Sequence, residues 1–282
     1  MPVAAFVINL AADRARMLSF AAQADACALP VRRVDAVRGF AMPDWLAPLF
    51  LDASGAPRSP LLPGEVGCYA SHLIAAAQIV REGLPMAVVF EDDVEFDTDL
   101  PALLETLVAS LPADWDIVRL SSPTRRSVLS LARLPGQRHL VRYSKLPKAS
   151  GAYLLSASGA RKLLAATPRV RPFDADLRYG WLLGLDSYGV YPEPVRQPER
   201  FASTIKPAKV SRRAARGRRW KRPDAWARVA GVAHMMRALG FQSWLACSWQ
   251  NAALALDGKP TRATVVPVAS NHHLTVPVVA VS

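Results

Sequence analysis

Short unbroken apolar blocks alternate along this chain with stretches in which apolar residues recur every three or four positions. An unbroken block bounded by turn residues marks a strand buried on both faces, and the three-to-four spacing marks a helix with one buried side. Ala4 to Leu10 reads as a first strand, and Asp13-Arg14-Ala15-Arg16-Met17-Leu18 opens a helix whose exposed amides an Asp can cap. Val31 to Asp35 is a second strand. The turn at Gly39 leads into Ala41 to Pro63, which has no regular period and is expected to be irregular. From Pro63 a helix is well marked, with Pro in its first turn and Val66, Ala70, Leu73, Ala77 and Val80 at helical spacing. Gly83 and Pro85 end it. Met86 to Phe90 is continuously apolar and ends in acid, the pattern of a central strand whose carboxyl end enters a cleft. Trp115 to Leu120 repeats that form, Ala152 to Leu155 and Tyr188 to Tyr191 are further strands, and Ser158 to Ala166 is a helix. This alternation predicts an α/β fold, a mixed and mainly parallel sheet flanked by helices, with no internal repeat.

At 282 residues and 51% hydrophobic content the chain can bury one substantial core. One catalytic domain over residues 1–205 is expected, followed by a basic, Trp-bearing helical extension over 206–282. Cys27, Cys68 and Cys247 are odd in number and far apart, which favours a reducing, cytoplasmic setting over a disulfide framework. Val3 to Leu10 has no basic residue before it and carries Asn9, so it reads as a strand and not a signal segment. No stretch approaches the roughly 20 apolar residues of a membrane-spanning helix. The net charge of +12 is concentrated between Lys206 and Arg228, a segment that calls for an anionic neighbour or stands as a solvated tail.

The candidate chemistry lies at Glu91-Asp92-Asp93. If the chain stays extended there, Glu91 and Asp93 project together and Asp92 projects the other way. Converging carboxylates repel one another and lose solvation, a cost that a divalent cation relieves, and hard oxygen ligands suit magnesium or manganese. A metal there would neutralise charge building on a leaving nucleoside diphosphate. The plain alternative is a helix cap or solvated loop, but Glu95 and Asp97 make the acid denser than a cap requires. Glu65, Cys68 and His72 share one stripe of the helix that starts at Pro63. Cys68 and His72 have zinc-ligand spacing, but no two further ligands lie nearby in sequence, so no zinc site is expected.

Four blocks carry a resemblance to glycosyltransferase family 25, the lipooligosaccharide galactosyltransferases and their relatives. They are Val7-Ile8-Asn9-Leu10 with Asp13-Arg14 and Arg16, then Val34 to Gly39, then Gly64-Glu65-Val66-Gly67-Cys68 with Ser71-His72 and Val88 to Val94. The last runs from Gly151 to Ser156 through Gly159-Ala160 and Leu163-Leu164 to Pro172-Phe173-Asp174 and Pro194 to Gln197. The resemblance spans residues 3 to 200. It implies a GT-A-type, Rossmann-like fold and inverting transfer of a sugar, galactose favoured, from a uridine diphosphate donor to a saccharide acceptor. Glu91 and Asp93 would hold manganese or magnesium. Asn9, Arg14, Asp35, Glu65 and Asp92 would serve the donor and its metal loop. Asp174 would be the base that deprotonates the acceptor, with Asp176 and Asp186 as competitors. Structural readings stand beside these: Arg14 as a solvated helix residue, Glu65 as a helix-start acid, His72 as a core histidine, Asp174 as a surface acid paired with Arg171 or Arg178. Arg38 departs from the family, which often has an acid there.

Trp226, Val229, Ala233 and Met236 trace one helix stripe beside the basic segment, a pattern that fits an anionic membrane surface and a glycolipid acceptor, or else core packing. The expected location is therefore cytoplasmic and peripheral to the inner face of the membrane. Two rival functions stand beside the transferase. One is a metal-dependent phosphohydrolase or nucleotidyltransferase using the same acids. The other is a nucleic-acid-binding protein using the tail, which the acidic triplet disfavours.

Overall fold

In the computed structural model of the chain, which describes residues 3–198, 225–256 and 263–267, every apolar block identified above forms a strand. Strands β1 (Ala4–Asn9), β2 (Val31–Asp35) and β3 (Met86–Glu91) pair in parallel, with β1 between the other two. Strands β4 (Glu95–Phe96), β5 (Ile117–Arg119), β6 (Val128–Leu134), β7 (Arg138–Tyr143), β8 (Ala152–Ser156), β9 (Ser187–Tyr191), β10 (Val195–Arg196) and β11 (Val265–Pro267) complete the set. Nine of them make one sheet in the order β11-β6-β7-β9-β5-β8-β3-β1-β2. Only β8 and β7 run against the other strands of that sheet, so it is mixed and mainly parallel, as expected. The β6–β7 hairpin was not legible in the sequence, because Ser, Arg and His interrupt its apolar positions on a half-covered face.

The helices are α1 (Arg14–Ala26), α2 (Ala47–Phe50), α3 (Pro63–Arg81), α4 (Leu100–Ala109), α5 (Ala157–Leu163), α6 (Phe173–Arg178), α7 (Ala225–Leu239) and α8 (Phe241–Leu256). They cover the two faces of the sheet. On one, Phe20 of α1 and Leu100, Leu103, Leu104 and Leu107 of α4 pack on Val7, Val88 and Phe90. On the other, Val66, Tyr69, Ala70 and Leu73 of α3 pack on Phe6, Ala87 and Val89 with Tyr153 and Leu155 of β8. This is the three-layer solution for a sheet buried on both sides. The alternation along β3 has a direct consequence for chemistry: Ala87 and Val89 face α3, and Glu91 follows in the same phase.

Two details correct the sequence reading. Asp13 precedes α1 without capping it through its side chain; its carbonyl accepts from Asn9 Nδ2 at 3.1 Å instead. The stretch from Ala41 to Pro63 contains a 3-10 turn at Asp44–Leu46 and the short α2, whose Leu49 and Phe50 are buried. The boundary expected at 205/206, and the basic residues from Lys206 to Arg222, lie outside the described residues. The described C-terminal part is continuous with the core: β11 is the edge strand beside β6, and Leu239 and Cys247 pack on Leu129. Among the described residues no helix is long and apolar enough to cross a membrane.

Candidate active site

The carboxyl end of β3 opens into a cleft of about 620 Å³ whose lining includes Glu65, Cys68, Glu91, Lys148, Ser150, Asp174, Glu193 and Gln197. Open α/β sheets bind ligands at this end of their strands. Helix α3 reaches the cleft because it lies close against the loop after β2. A Cβ on Gly67 would sit 2.5 Å from Val37 O and 2.7 Å from Gly39 N, so only glycine allows that approach. Its first turn is closed by Glu65, whose Oε2 accepts from Leu62 N at 2.8 Å. Glu65 thus serves as a helix-start acid and also lines the cleft.

The triplet does not stay extended. The strand ends at Glu91, and Asp92 and Asp93 form a turn. Glu91 and Asp93 still converge, because Gln197 Nε2 donates to Glu91 Oε2 at 3.3 Å and to Asp93 Oδ1 at 2.9 Å. Gln197 is delivered by β10, which pairs antiparallel with β4 immediately after the triplet, and Arg196 and Arg138 both clamp Asp97 there, at 2.6 and 3.0 Å. Asp92 turns to the other side, accepting from Asn9 Nδ2 at 2.6 Å and from Arg16 Nη1 at 3.1 Å.

Burial pushes the Asp93 carboxyl up, and the like charge of Glu91 adds to it, to about 6. Burial also raises Asp92, against the lowering by Asn9 and Arg16. For Glu91 burial acts upward too, but His72 and hydrogen bonds from Ser150 and Gln197 outweigh it and hold the group below the usual carboxylate range. Among the described residues, Asp92 and Asp93 are therefore short of positive charge. Among the described residues, Arg16 sits 3.6 Å from Asp93 and is shared with Asp92. Carboxylate oxygens of this kind could hold a hard divalent cation, with Glu91 and Asp93 as the residues available to it.

The remaining expected residues fall into two groups. Asp174, on α6, lies in the cleft with Oδ2 3.2 Å from Lys148 Nζ and with Oδ1 buried and without a hydrogen-bond partner among the described residues. Its two competitors are occupied elsewhere: Asp176 binds Arg171 at 2.6 Å and Tyr69 Oη at 3.0 Å, and Asp186 holds Arg142. Asn9 is buried between Asp92 and Arg33, whose Nε donates to Asn9 Oδ1 at 3.0 Å. Arg14 is exposed on α1, and Asp35 is exposed and paired with Arg33 at 2.8 Å; neither lines the cleft. Arg16, two positions from Arg14 and so on a different side of the helix, is the basic residue that reaches the acids. Lys148, Ser150 and Glu193 come from loops with no sequence signal of their own.

The third ligand that the Cys68 and His72 spacing lacked comes from the other side of the fold. His72 Nε2 lies 3.4 Å from Glu91 Oε1, and ligand atoms of Cys68, His72 and Glu91 all fall within 4.8 Å of one another.

Residues 3–177 match the profile of glycosyltransferase family 25 (LPS biosynthesis protein), more than half of the chain. This chain belongs to glycosyltransferase family 25. The mouse protein named inactive glycosyltransferase 25 family member 3 is 36% identical over 188 residues, covering 61% of this chain and 30% of that protein. Procollagen galactosyltransferase 1-A of Xenopus laevis is 35% identical over 120 residues, 42% of this chain and 20% of its own. This family 25 chain thus spans about a third or less of the length of these relatives. Among solved structures, a mannose-1-phosphate geranyltransferase from Thermus thermophilus aligns at 16% identity over 67% of this chain and 74% of its own, with a TM-score of 0.35, which carries no argument.

Proposed function

We propose that this family 25 chain is an inverting, metal-dependent glycosyltransferase that moves a sugar from a uridine diphosphate donor to a saccharide acceptor. The observation that carries the reading is the cleft at the end of β3, lined by Glu91, Gln197 and Asp174 of α6, with Asp93 joined to Glu91 through Gln197. Galactose is the favoured sugar, from the galactosyltransferase relatives, and a lipopolysaccharide or lipooligosaccharide the favoured acceptor, from the family description. Glu91 and Asp93 would hold manganese or magnesium, which supplies charge neutralisation for the leaving diphosphate. Asp174 takes the proton from the acceptor hydroxyl, as the cleft-lining carboxylate beside Lys148. Gln197 fixes the two metal-binding carboxylates relative to each other. Glu65 borders the donor side from the start of α3, and Asn9 and Arg16 brace the turn from behind through Asp92.

A peripheral position on the inner face of the cytoplasmic membrane completes the reading. It is supported by the exposed Trp226, Val229 and Val232 on α7 and Phe241, Leu245 and Trp249 on α8, beside a strongly basic stretch of sequence.

The test is release of uridine diphosphate from a panel of nucleotide sugars with manganese. Wild type is expected to cleave one donor slowly without acceptor, and Asp93→Ala to lose at least about a hundredfold of that rate. Asp174→Asn is expected to retain donor binding and lose transfer to an added acceptor. If no donor is bound or cleaved with metal present, the transferase reading fails.

A further inference from the structure

Zinc-class ions are held by thiolate, imidazole and carboxylate groups at roughly 2.0–2.3 Å, with three protein ligands and an open fourth position where the site must stay accessible. Cys68 and His72, one turn apart on α3, face the last residue of β3, which the strand alternation sends to the same side. His72 is 1% exposed, and its Nε2 faces Glu91 Oε1 at 3.4 Å, too long for a well-formed hydrogen bond. A buried ring nitrogen with only so long a contact is incompletely satisfied, and a ligand shared with the carboxylate would satisfy it.

The surroundings hold the three groups in place. His72 Nδ1 is 2.9 Å from Tyr153 Oη, and the imidazole stacks on Phe173 at 4.0 Å between ring centres. In the tautomer with Nδ1–H donating to Tyr153, Nε2 is the lone-pair nitrogen that a metal requires. Ser150 Oγ donates to Glu91 Oε1 at 2.6 Å, and Oε2 faces Gln197 on the opposite side. Cys68 and Glu91 both border the cleft, so an ion can enter and keep a water.

We infer that Cys68, His72 and Glu91 form a binding site for a thiophilic divalent cation of the zinc class, separate from the hard-cation pair and sharing only Glu91 with it. Thiolate and imidazole select zinc or cobalt over magnesium and manganese. On binding, the Cys68 thiol gives its proton to solvent and the sulfur–metal bond replaces the S–H bond. The inference rests on the placement of these three groups and stands or falls independently of the transferase reading.

Cobalt(II) titrated into the full-length protein is the direct probe. Wild type is expected to develop a near-ultraviolet thiolate-to-cobalt band that saturates at one equivalent. Cys68→Ser should lose that band, Cys27→Ser should keep it, and Tyr153→Phe should weaken cobalt binding about 10- to 100-fold. Asp93→Ala, which is expected to abolish donor cleavage, should keep the band, so failure of one reading leaves the other visible. In unmutated protein, zinc should protect Cys68 and not Cys27 from alkylation, read by peptide mass mapping. Absence of the band in wild type, its persistence in Cys68→Ser, or alkylation of Cys68 unaffected by zinc would overturn the inference.

Discussion

Asp93 illustrates how a single carboxylate can be set against the stability of its own fold. Its pKa of about 6 lies above the ordinary value of an unfolded Asp, so between about pH 4 and pH 6 the folded state holds more proton than the unfolded state. Stability attributable to this group is therefore lost as pH rises through that window, and the ionised form is tolerated, not favoured, at neutral pH. Asp93→Asn removes the penalty. At about pH 7.5 without added metal it is expected to raise the unfolding free energy by on the order of 2 kcal/mol, and at about pH 4 to change it little. Urea denaturation at the two pH values checks this, and an equal shift at both would show that charge is not the cause. The residue scale also separates the three candidate bases. Asp174, Asp176 and Asp186 are indistinguishable as letters, and only their surroundings divide them: two are tied to arginines, and Asp174 lines the cleft beside Lys148.

At the scale of elements, α3 and β3 carry most of the site, and both were legible. Helical spacing from Pro63 and the unbroken block from Met86 predicted them to within a residue or two. The phase of β3 put Glu91 on the α3 side, but the turn at Asp92 was hidden. It is held by contacts with Asn9, Arg16 and Gln197, two of them in α1 and the strand before it and one more than a hundred residues away. Position 67 tests the placement of α3. Gly67→Ala brings a Cβ against backbone atoms of Val37 and Gly39, which cannot swing aside as a side chain can. It is expected to cost about 1–3 kcal/mol in urea unfolding and to lower activity with it, since Glu65, Cys68 and His72 shift with the helix. A neutral result would mean that the loop after β2 yields easily and does not position the site.

For the whole molecule, the question is how the catalytic layer relates to the C-terminal hairpin. Helices α7 and α8 pack on the domain through Leu239, Cys247 and Gly231, the last against Trp181, and present Trp226 and Trp249 at 82% and 76% exposure. An amphipathic surface next to concentrated basic sequence binds anionic bilayers by both terms, and the electrostatic one is screened by salt. The protein is expected to co-sediment with phosphatidylglycerol-containing vesicles and not with phosphatidylcholine alone. Binding should weaken at high salt, and fall at least about tenfold in a Trp226→Ser, Trp249→Ser double variant. Equal binding to both vesicle types, or none, would remove the membrane from the proposed function.

What the chain's sequence determined by itself was local: strand or helix, the phase of each, the acid at the end of β3, and motif order sufficient to place it in family 25. Those properties follow from residue spacing and side-chain alternation, which act over a few positions. The tertiary structure alone decided which groups meet. Gln197 reaches Glu91 and Asp93 because β10 pairs with β4; Glu91 becomes the third group beside Cys68 and His72; Asp174 meets Lys148 in the cleft while Arg171 and Arg142 take its rivals. Hydrogen bonds and ion pairs act over a few ångströms in space and are indifferent to separation along the chain, so no local pattern records them.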